Sequence, residues 1–489
     1  MIKSVWKALN DTPYTDEIAL SVGSYSITYS KLKESIKLFC DKLNSIGIRK
    51  GDVVTIALPN LIETVIAFYG VNANGCIANM VHPSLPNSAL RSIQENTHSK
   101  LLVGLKTHKS INYKITCLVD SSEVTSWENF MLTPSTPTVY KESDGVCAYL
   151  HSGGTTDKPK TIILSNKNLN GLANSLSKIF TKNECVGYKA LTALPTFHAF
   201  GLGAGIHTLL LLGAHLVLVP KFDKIETPKL FVSEKINIML GVPFMFRALV
   251  NSKTVLEQKD LSHVKYCFAG GDYVSEELLT TVNDIFASKN SVSKLLVGYG
   301  LTECVSVVSV NTHDNYKIGT VGKPLDKISI SILDRGKFVE RNNTGEICVS
   351  SDTVMMRYLN GHSRSFIEKG GLTWLKTGDY GYIDSDGYLY FVDRKKRIIK
   401  INGVTVFPSE IELAVSNRYD TLCFAKLNKD KKLVLYVDKK NNISVTEQEI
   451  IDYCKLHLMK WAVPSKVVFI DNIPLTPLGK IDTSNKIFE

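Results

Sequence analysis

The ten cysteines form no C-x-x-C pair, and the chain contains no arginine-rich tract, internal repeat or low-complexity run. The first absence removes a zinc ribbon or dithiol redox site, so the scattered thiols read as reduced, mostly buried side chains of a cytosolic protein. The second, with no interleaved aromatic stripe, makes nucleic acid a poor partner. Met1-Ile2-Lys3-Ser4-Val5-Trp6 lacks the apolar core of a signal peptide, so the expected location is cytoplasmic. Asp, Glu, Lys and Arg are all missing from Gly201 to Pro220, nearly the length of a membrane span. His207 and His215 interrupt that stretch and Gly213-Ala214 divides it. It is therefore expected to be a buried helix leading into a core strand at His215 to Val219, not a span.

What is present is globular. Of 489 residues, 44% are hydrophobic and 21% charged, and the length calls for at least two domains. The net charge of +10 is uneven: residues 394–489 hold 17 Lys and Arg against 11 Asp and Glu. A small basic C-terminal unit suits a lid over anionic ligands, although most of these lysines are expected simply to face solvent.

The first half alternates strand and helix signals. Val53 to Leu58 and Leu101 to Val103 read as buried strands, and Ile62 to Ala78 and Ala89 to Asn96 as helices, which implies a parallel sheet covered by helices. Leu169, Leu172, Ala173, Leu176, Ile179 and Phe180 recur at helical spacing behind a cap at Ser165 or Asn166. From about Gly319 the texture turns to short β-like runs at Ile328 to Leu333, Gly345 to Val349 and Tyr388 to Val392. After the basic stretch at Asp393 to Arg397, Ser409 to Ser416 reads as helix, and Leu433 to Val437 and Lys466 to Ile470 as strands. A charged junction of that kind is a plausible hinge.

Ser152-Gly153-Gly154-Thr155-Thr156-Asp157-Lys158-Pro159-Lys160 is the most informative stretch. It follows the apolar run Val146 to Leu150 and precedes the helix-like segment. Glycines let backbone approach a ligand, while hydroxyls and lysines hold phosphate oxygens. Taken alone, the loop reads equally as a polar turn. It lacks the Gly-Lys-Ser/Thr ending of a Walker loop, which disfavours a P-loop ATPase or kinase.

Taken with Tyr299-Gly300-Leu301-Thr302-Glu303, Lys376-Thr377-Gly378-Asp379, Arg394 and Pro477-Leu478-Gly479-Lys480, this loop resembles the adenylate-forming superfamily of acyl- and aryl-CoA synthetases. Leu194 to His198, Ala269-Gly270-Gly271, Gly319 to Pro324, Gly345-Glu346-Ile347 and Phe407 to Glu412 fill the intervals in the same order. The resemblance implies an α/β fold with an N-terminal adenylation domain, 1–393, of parallel-rich α/β subdomains plus a β-rich subdomain. A small mobile α+β lid, 394–489, would follow, hinged near Lys396.

By that resemblance the protein activates a carboxylic acid with ATP to acyl-AMP and then forms a thioester, with Mg²⁺ as cofactor and ATP and coenzyme A as co-substrates. Thr155, Thr156 and Lys160 would hold the β and γ phosphates, with Ser152, Gly153 and Gly154 cofactor-binding in the same loop. Thr302 would meet the α-phosphate and Glu303 would ligate Mg²⁺, which needs only one or two carboxylates beside phosphate oxygens. Tyr299 with Gly300 would cover one face of the adenine, and Gly270-Gly271 the other. Asp379 would accept both ribose hydroxyls and Arg394 would support ribose or phosphate. Lys480 would bridge the acid and the α-phosphate, His198 would gate the acid pocket from the thiol tunnel, and Lys400 and Gly403 would line the thiol route.

Two positions depart from the pattern: Asp157 and Thr161 stand where glycine is usual. Peptide-synthetase domains place an aspartate near Phe197-His198 for the amino group; here the segment has no carboxylate, so a non-amino acid is expected. Apolar candidate walls at Val242 to Phe246 and Cys304 to Val307 suit an aromatic or medium-chain acyl group. Coenzyme A is the expected acceptor, because no carrier or condensation domain follows the lid. A ligase loading an acyl-carrier protein is the alternative. A degenerate, non-catalytic binding protein is a third reading, opposed by the joint presence of Thr302, Glu303, Asp379, Arg394 and Lys480.

Overall fold

A computed structural model describes residues 3–110, 113, 115–122, 126–135, 145–151, 160–181, 183–361, 365–401, 404–439, 445–475, 481–483 and 485–488. A large α/β unit is followed by a smaller α+β unit. The large unit is built on three sheets. A seven-stranded sheet runs Arg357–Tyr358, Thr161–Ser165, Val146–His151, Ile77–Met80, Val53–Ile56, Leu101–Gly104 and Ile115–Leu118. Its strands from Val146–His151 onward pair in parallel. Val53–Ile56, Ile77–Met80 and Leu101–Gly104 are buried throughout, as central strands covered on both faces must be.

A nine-stranded sheet places Leu295–Gly300, Tyr266–Ala269, Ile238–Gly241, Lys189–Thr192 and His215–Leu218 side by side in parallel. The third sheet, antiparallel, is organised on the long strand Leu372–Ile383, which pairs with Gly345–Ser350, Phe366–Lys369 and Leu389–Arg394. This is the β-rich region expected after Gly319.

The C-terminal unit packs helices Pro408–Tyr419 and Glu447–His457 with the sheet Cys423–Leu427, Leu433–Asp438, Lys466–Ile470. Its apolar core begins at Ile399, whereas that of the large unit ends at Leu389. The interval is charged and bonded to both sides. Lys395 reaches Glu346 at 2.7 Å, Arg397 pairs with Glu412, and Asp393 accepts the Ser409 amide at 3.0 Å.

Three local expectations need correction. The helix at Ile62 stops at Ala73, because a turn through Asn74 and Gly75 (φ +70°) redirects the chain into the strand Ile77–Met80. The helix at Leu169 ends at Leu176; after one 3-10 turn Phe180 is extended and sets its ring edge-on to Tyr266 at 4.8 Å. The segment after the 152–160 loop is not directly a helix. A strand, Thr161–Ser165, returns antiparallel to Val146–His151 before the helix Asn166–Leu176 begins at its Ser165 cap. Its run Thr-Ile-Ile-Leu-Ser is too short for periodicity to separate strand from helix. The charge-free stretch folds as expected, as a buried helix over Phe200–Leu211 and a strand over His215–Leu218, and its first turns are π-wound. All ten cysteines are buried and unpaired. No helix of the described residues is long and apolar enough to cross a membrane.

Candidate active site

Two strands create the centre of the site. Leu295–Gly300 delivers Tyr299, and Leu372–Ile383 delivers Asp379 from a different sheet. The Tyr299 hydroxyl donates to Asp379 Oδ2 at 2.7 Å, with both side chains nearly buried. Burial, then the carboxylate's charge, pushes the tyrosine hydroxyl well above its ordinary range, so it stays a donor. Burial also raises Asp379, partly offset by Arg394, which faces it across the strand pair with Nε 3.8 Å from Oδ1. The Asp379 amide is anchored on Thr377 Oγ1 at 3.1 Å.

Past Tyr299 the chain doubles back. A methyl on Gly300 would lie 1.7 Å from the Ser306 carbonyl oxygen, so no side chain fits there. Thr302–Cys304 forms one 3-10 turn, and Val305 follows at φ 63°, a costly conformation for a β-branched residue. This turn sets Glu303 beside Tyr358, whose hydroxyl donates to Oε1 at 2.9 Å. Lys160, at the far end of the phosphate-type loop, carries its ammonium 4.8 Å from the centre of the same ring.

The base of that loop is clamped. His151 and Thr161 pair across the strands, and Thr161 Oγ1 lies 3.2 Å from His151 Nδ1. His151 Nε2 meets Asn79 Oδ1 at 2.8 Å, while Asn79 Nδ2 donates to Thr55. This chain of donors assigns the proton to Nε2, and burial pushes His151 down to about 4, which keeps it neutral.

The side of the site at Gly270 and Phe200 is apolar. Gly270 sits where a methyl would lie 3.2 Å from the Gly298 carbonyl and 3.6 Å from the Phe200 ring, and Gly271 faces Val242. Buried Asn60 fixes the approach to Phe197-His198: it donates to the Thr192 and Leu194 carbonyls and accepts the Thr196 amide. Half-buried His198 begins this wall, and the Phe197 ring contacts that of His82 at 4.6 Å.

The structure thus joins Tyr299, Asp379 and Arg394 in one group and Lys160 with Glu303 in a second, one short turn away through Gly300 and Thr302. Lys400 is exposed on the hairpin of the smaller unit. Ser152 to Thr156, Gly403 and Lys480 lie outside the described residues. Sequence reasoning missed Tyr358 and Phe391, whose ring lies 5.9 Å from that of Tyr299. Tyr358 belongs to a two-residue strand, which leaves no periodic signal.

As to magnesium, no group of three His, Cys, Asp or Glu residues able to hold a metal occurs among the described residues. One carboxylate, Glu303, fits a cation held jointly with phosphate oxygens and not one caged by protein.

The AMP-binding enzyme model matches residues 6–359, and that of the AMP-binding enzyme C-terminal domain matches residues 423–480. The chain belongs to the AMP-binding enzyme family. Among its relatives, 4-coumarate–CoA ligase 2 of Nicotiana tabacum is 30% identical over 488 residues, spanning 93% of this chain and 88% of the relative. The 4-coumarate–CoA ligase of Vanilla planifolia is 30% identical over 505 residues, spanning 96% and 88%. ATP-bound MatB from Rhodopseudomonas palustris superposes with a TM-score of 0.87 at 21% identity over the whole of both chains. O-succinylbenzoate coenzyme A synthetase from Bacillus subtilis, in complex with its acyl-adenylate intermediate, gives 0.83 at 24% identity, covering 100% of this chain and 98% of that one. These two superpositions establish the fold.

Proposed function

We propose that the protein is an AMP-forming acid–CoA ligase acting on a non-amino carboxylic acid with an aromatic or medium-chain acyl group. The observation that carries the reading is the buried Tyr299–Asp379 hydrogen bond. It unites two motifs 80 residues apart beside Arg394, and the next turn presents Glu303. Adenine would lie against Tyr299, with the Gly270-Gly271 backbone opposite, and the ribose hydroxyls would be held by Asp379, a two-oxygen acceptor.

In the first step a carboxylate oxygen of the acid attacks the α-phosphorus, and pyrophosphate leaves. Both reactants are anionic, so positioning and positive charge provide most of the acceleration. Thr155, Thr156 and Lys160 hold the departing phosphates, with Ser152, Gly153 and Gly154 in the same nucleotide-binding motif. Thr302 holds the α-phosphate, and Lys480 bridges it to the acid. Bound magnesium, with Glu303 as its protein ligand, supplies charge neutralisation on the phosphate oxygens.

In the second step the coenzyme A sulfur attacks the acyl carbonyl carbon and AMP leaves. Turning at Lys396, the C-terminal unit would withdraw Lys480 and present Lys400 and Gly403 along the thiol route past His198. The apolar wall of Phe200, Val242 and Gly270, with no carboxylate near Phe197-His198, supports a neutral acyl tail. The uniformly buried, unpaired cysteines support a reducing, cytoplasmic setting.

A pyrophosphate-release screen over aromatic and C4–C16 acids tests the reading, followed by mass detection of acyl-thioester with coenzyme A and with holo carrier proteins. Release with an aromatic or medium-chain acid and thioester on coenzyme A is expected. No release with any acid would sink the reading, and thioester on the carrier alone would reassign the acceptor.

A further inference from the structure

The side chain that ties the phosphate loop to the metal-type carboxylate is Tyr358. Its backbone belongs to the sheet that bears the loop: Tyr358 pairs with Ile162, and the Leu359 amide donates to the Thr161 carbonyl at 2.9 Å. Three residues earlier, the Met355 amide donates to the Glu303 carbonyl at 2.7 Å. The segment is therefore stitched at one end to the loop's return strand and at the other to the Thr302–Cys304 turn. Its ring completes the connection, with the hydroxyl on Glu303 Oε1 and the face under the Lys160 ammonium. Tyr358 is buried, 7% exposed as a residue, so neither contact is a surface accident. A carboxylate that must stand beside a triphosphate is repelled by it, and a donor on one oxygen holds the other oriented for a shared cation.

We propose that Tyr358 is a positioning residue for Mg-ATP: its hydroxyl fixes Glu303 with Oε2 toward the cation, and its ring spaces Lys160 from that carboxylate. This rests on Glu303 being the metal ligand.

The test is calorimetric titration of the full-length protein with ATP, without metal and across a series of MgCl2 concentrations. Tyr358→Phe keeps the ring and loses only the hydroxyl. Its magnesium half-saturation for ATP binding should rise about tenfold while metal-free ATP affinity stays at the wild-type value, the size of a lost hydrogen bond to a charged group. Tyr358→Leu loses the face as well and should also weaken metal-free ATP binding, by about two- to fivefold. Equal half-saturation in Tyr358→Phe and wild type overturns the proposal, as does an equal loss with and without magnesium, which marks mere packing. Wild-type ATP affinity indifferent to magnesium would instead overturn the reading of Glu303 on which the proposal stands.

Discussion

The Tyr299–Asp379 pair and the C-terminal unit are held in opposite ways. Tyr299 and Asp379 sit on strands of two packed sheets within one extensive apolar core, and their polar groups are satisfied by each other. The C-terminal unit has its own apolar clusters and is tied to the large unit across a charged joint by Lys395–Glu346 and the Asp393 carboxylate's bond to the Ser409 amide. Apolar burial resists sliding, because displacement re-exposes surface at roughly 25 cal/mol per Å². The joint is polar instead: the half-exposed Lys395 ammonium meets the buried Glu346 carboxylate, and the buried Asp393 carboxylate meets a backbone amide. On the proposed function the nucleotide would meet a preformed surface, and the unit proposed to serve both half-reactions is joined to it through polar contacts and keeps a separate apolar core.

The largest effect should come from Lys480→Ala. Acyl-AMP formation, followed as pyrophosphate release, should fall on the order of 10²–10³-fold, as for loss of a group that stabilises transition-state charge. Thioester formation from preformed acyl-AMP should be nearly unchanged. Equal losses in both half-reactions would erase the contrast between the fixed and the exchanging partner.

Lys396→Pro should give the reverse pattern. Fixing φ near −65° at the joint should slow the second half-reaction by about tenfold or more while sparing adenylation, measured as a single turnover with coenzyme A. A normal second half-reaction would move the pivot elsewhere.

The smallest effect is one of pH on stability, and it separates the two regions by sign. Burial pushes His151 down to about 4 and His207 to about 3 in the large unit. Their neutral forms stabilise the fold above about pH 6.5, and that contribution is lost as pH falls from there toward 4. In the smaller unit burial pushes Glu412 up to about 7, despite the Arg397 guanidinium and the Ala425 amide. Its contribution is present below about pH 4.5 and lost as pH rises through 7. Between these limits acidification should destabilise the large unit and stabilise the smaller one, each by on the order of 1–3 kcal/mol. Calorimetric scans across pH 4.5–7 should resolve the opposed slopes, and Glu412→Gln should flatten the second only. Parallel slopes would dissolve the distinction.

How far the sequence could be read follows from the range of each interaction. Strands such as Leu101–Gly104, Leu433–Asp438 and Lys466–Ile470 were legible because their apolar runs are bounded by polar or turn residues. The helix over Pro408–Tyr419 was legible from its local pattern. The strand Thr161–Ser165 was not, since five residues carry no decisive period and only the partner Val146–His151 makes them extended. Asp379 and Tyr299 could be singled out as site residues by resemblance, but not as hydrogen-bonded partners.

By itself the sequence determined the alternation of elements, the charged joint at Asp393 to Arg397, and the order of motifs that mark the AMP-binding family, since each is a property of neighbouring residues. Only the tertiary structure decided that Tyr299 bonds Asp379 and that Tyr358 stands between Glu303 and Lys160. Those contacts join residues 55 to roughly 200 positions apart. Strand order and register place them, and these are settled by burying whole faces together, not by any local preference of the chain.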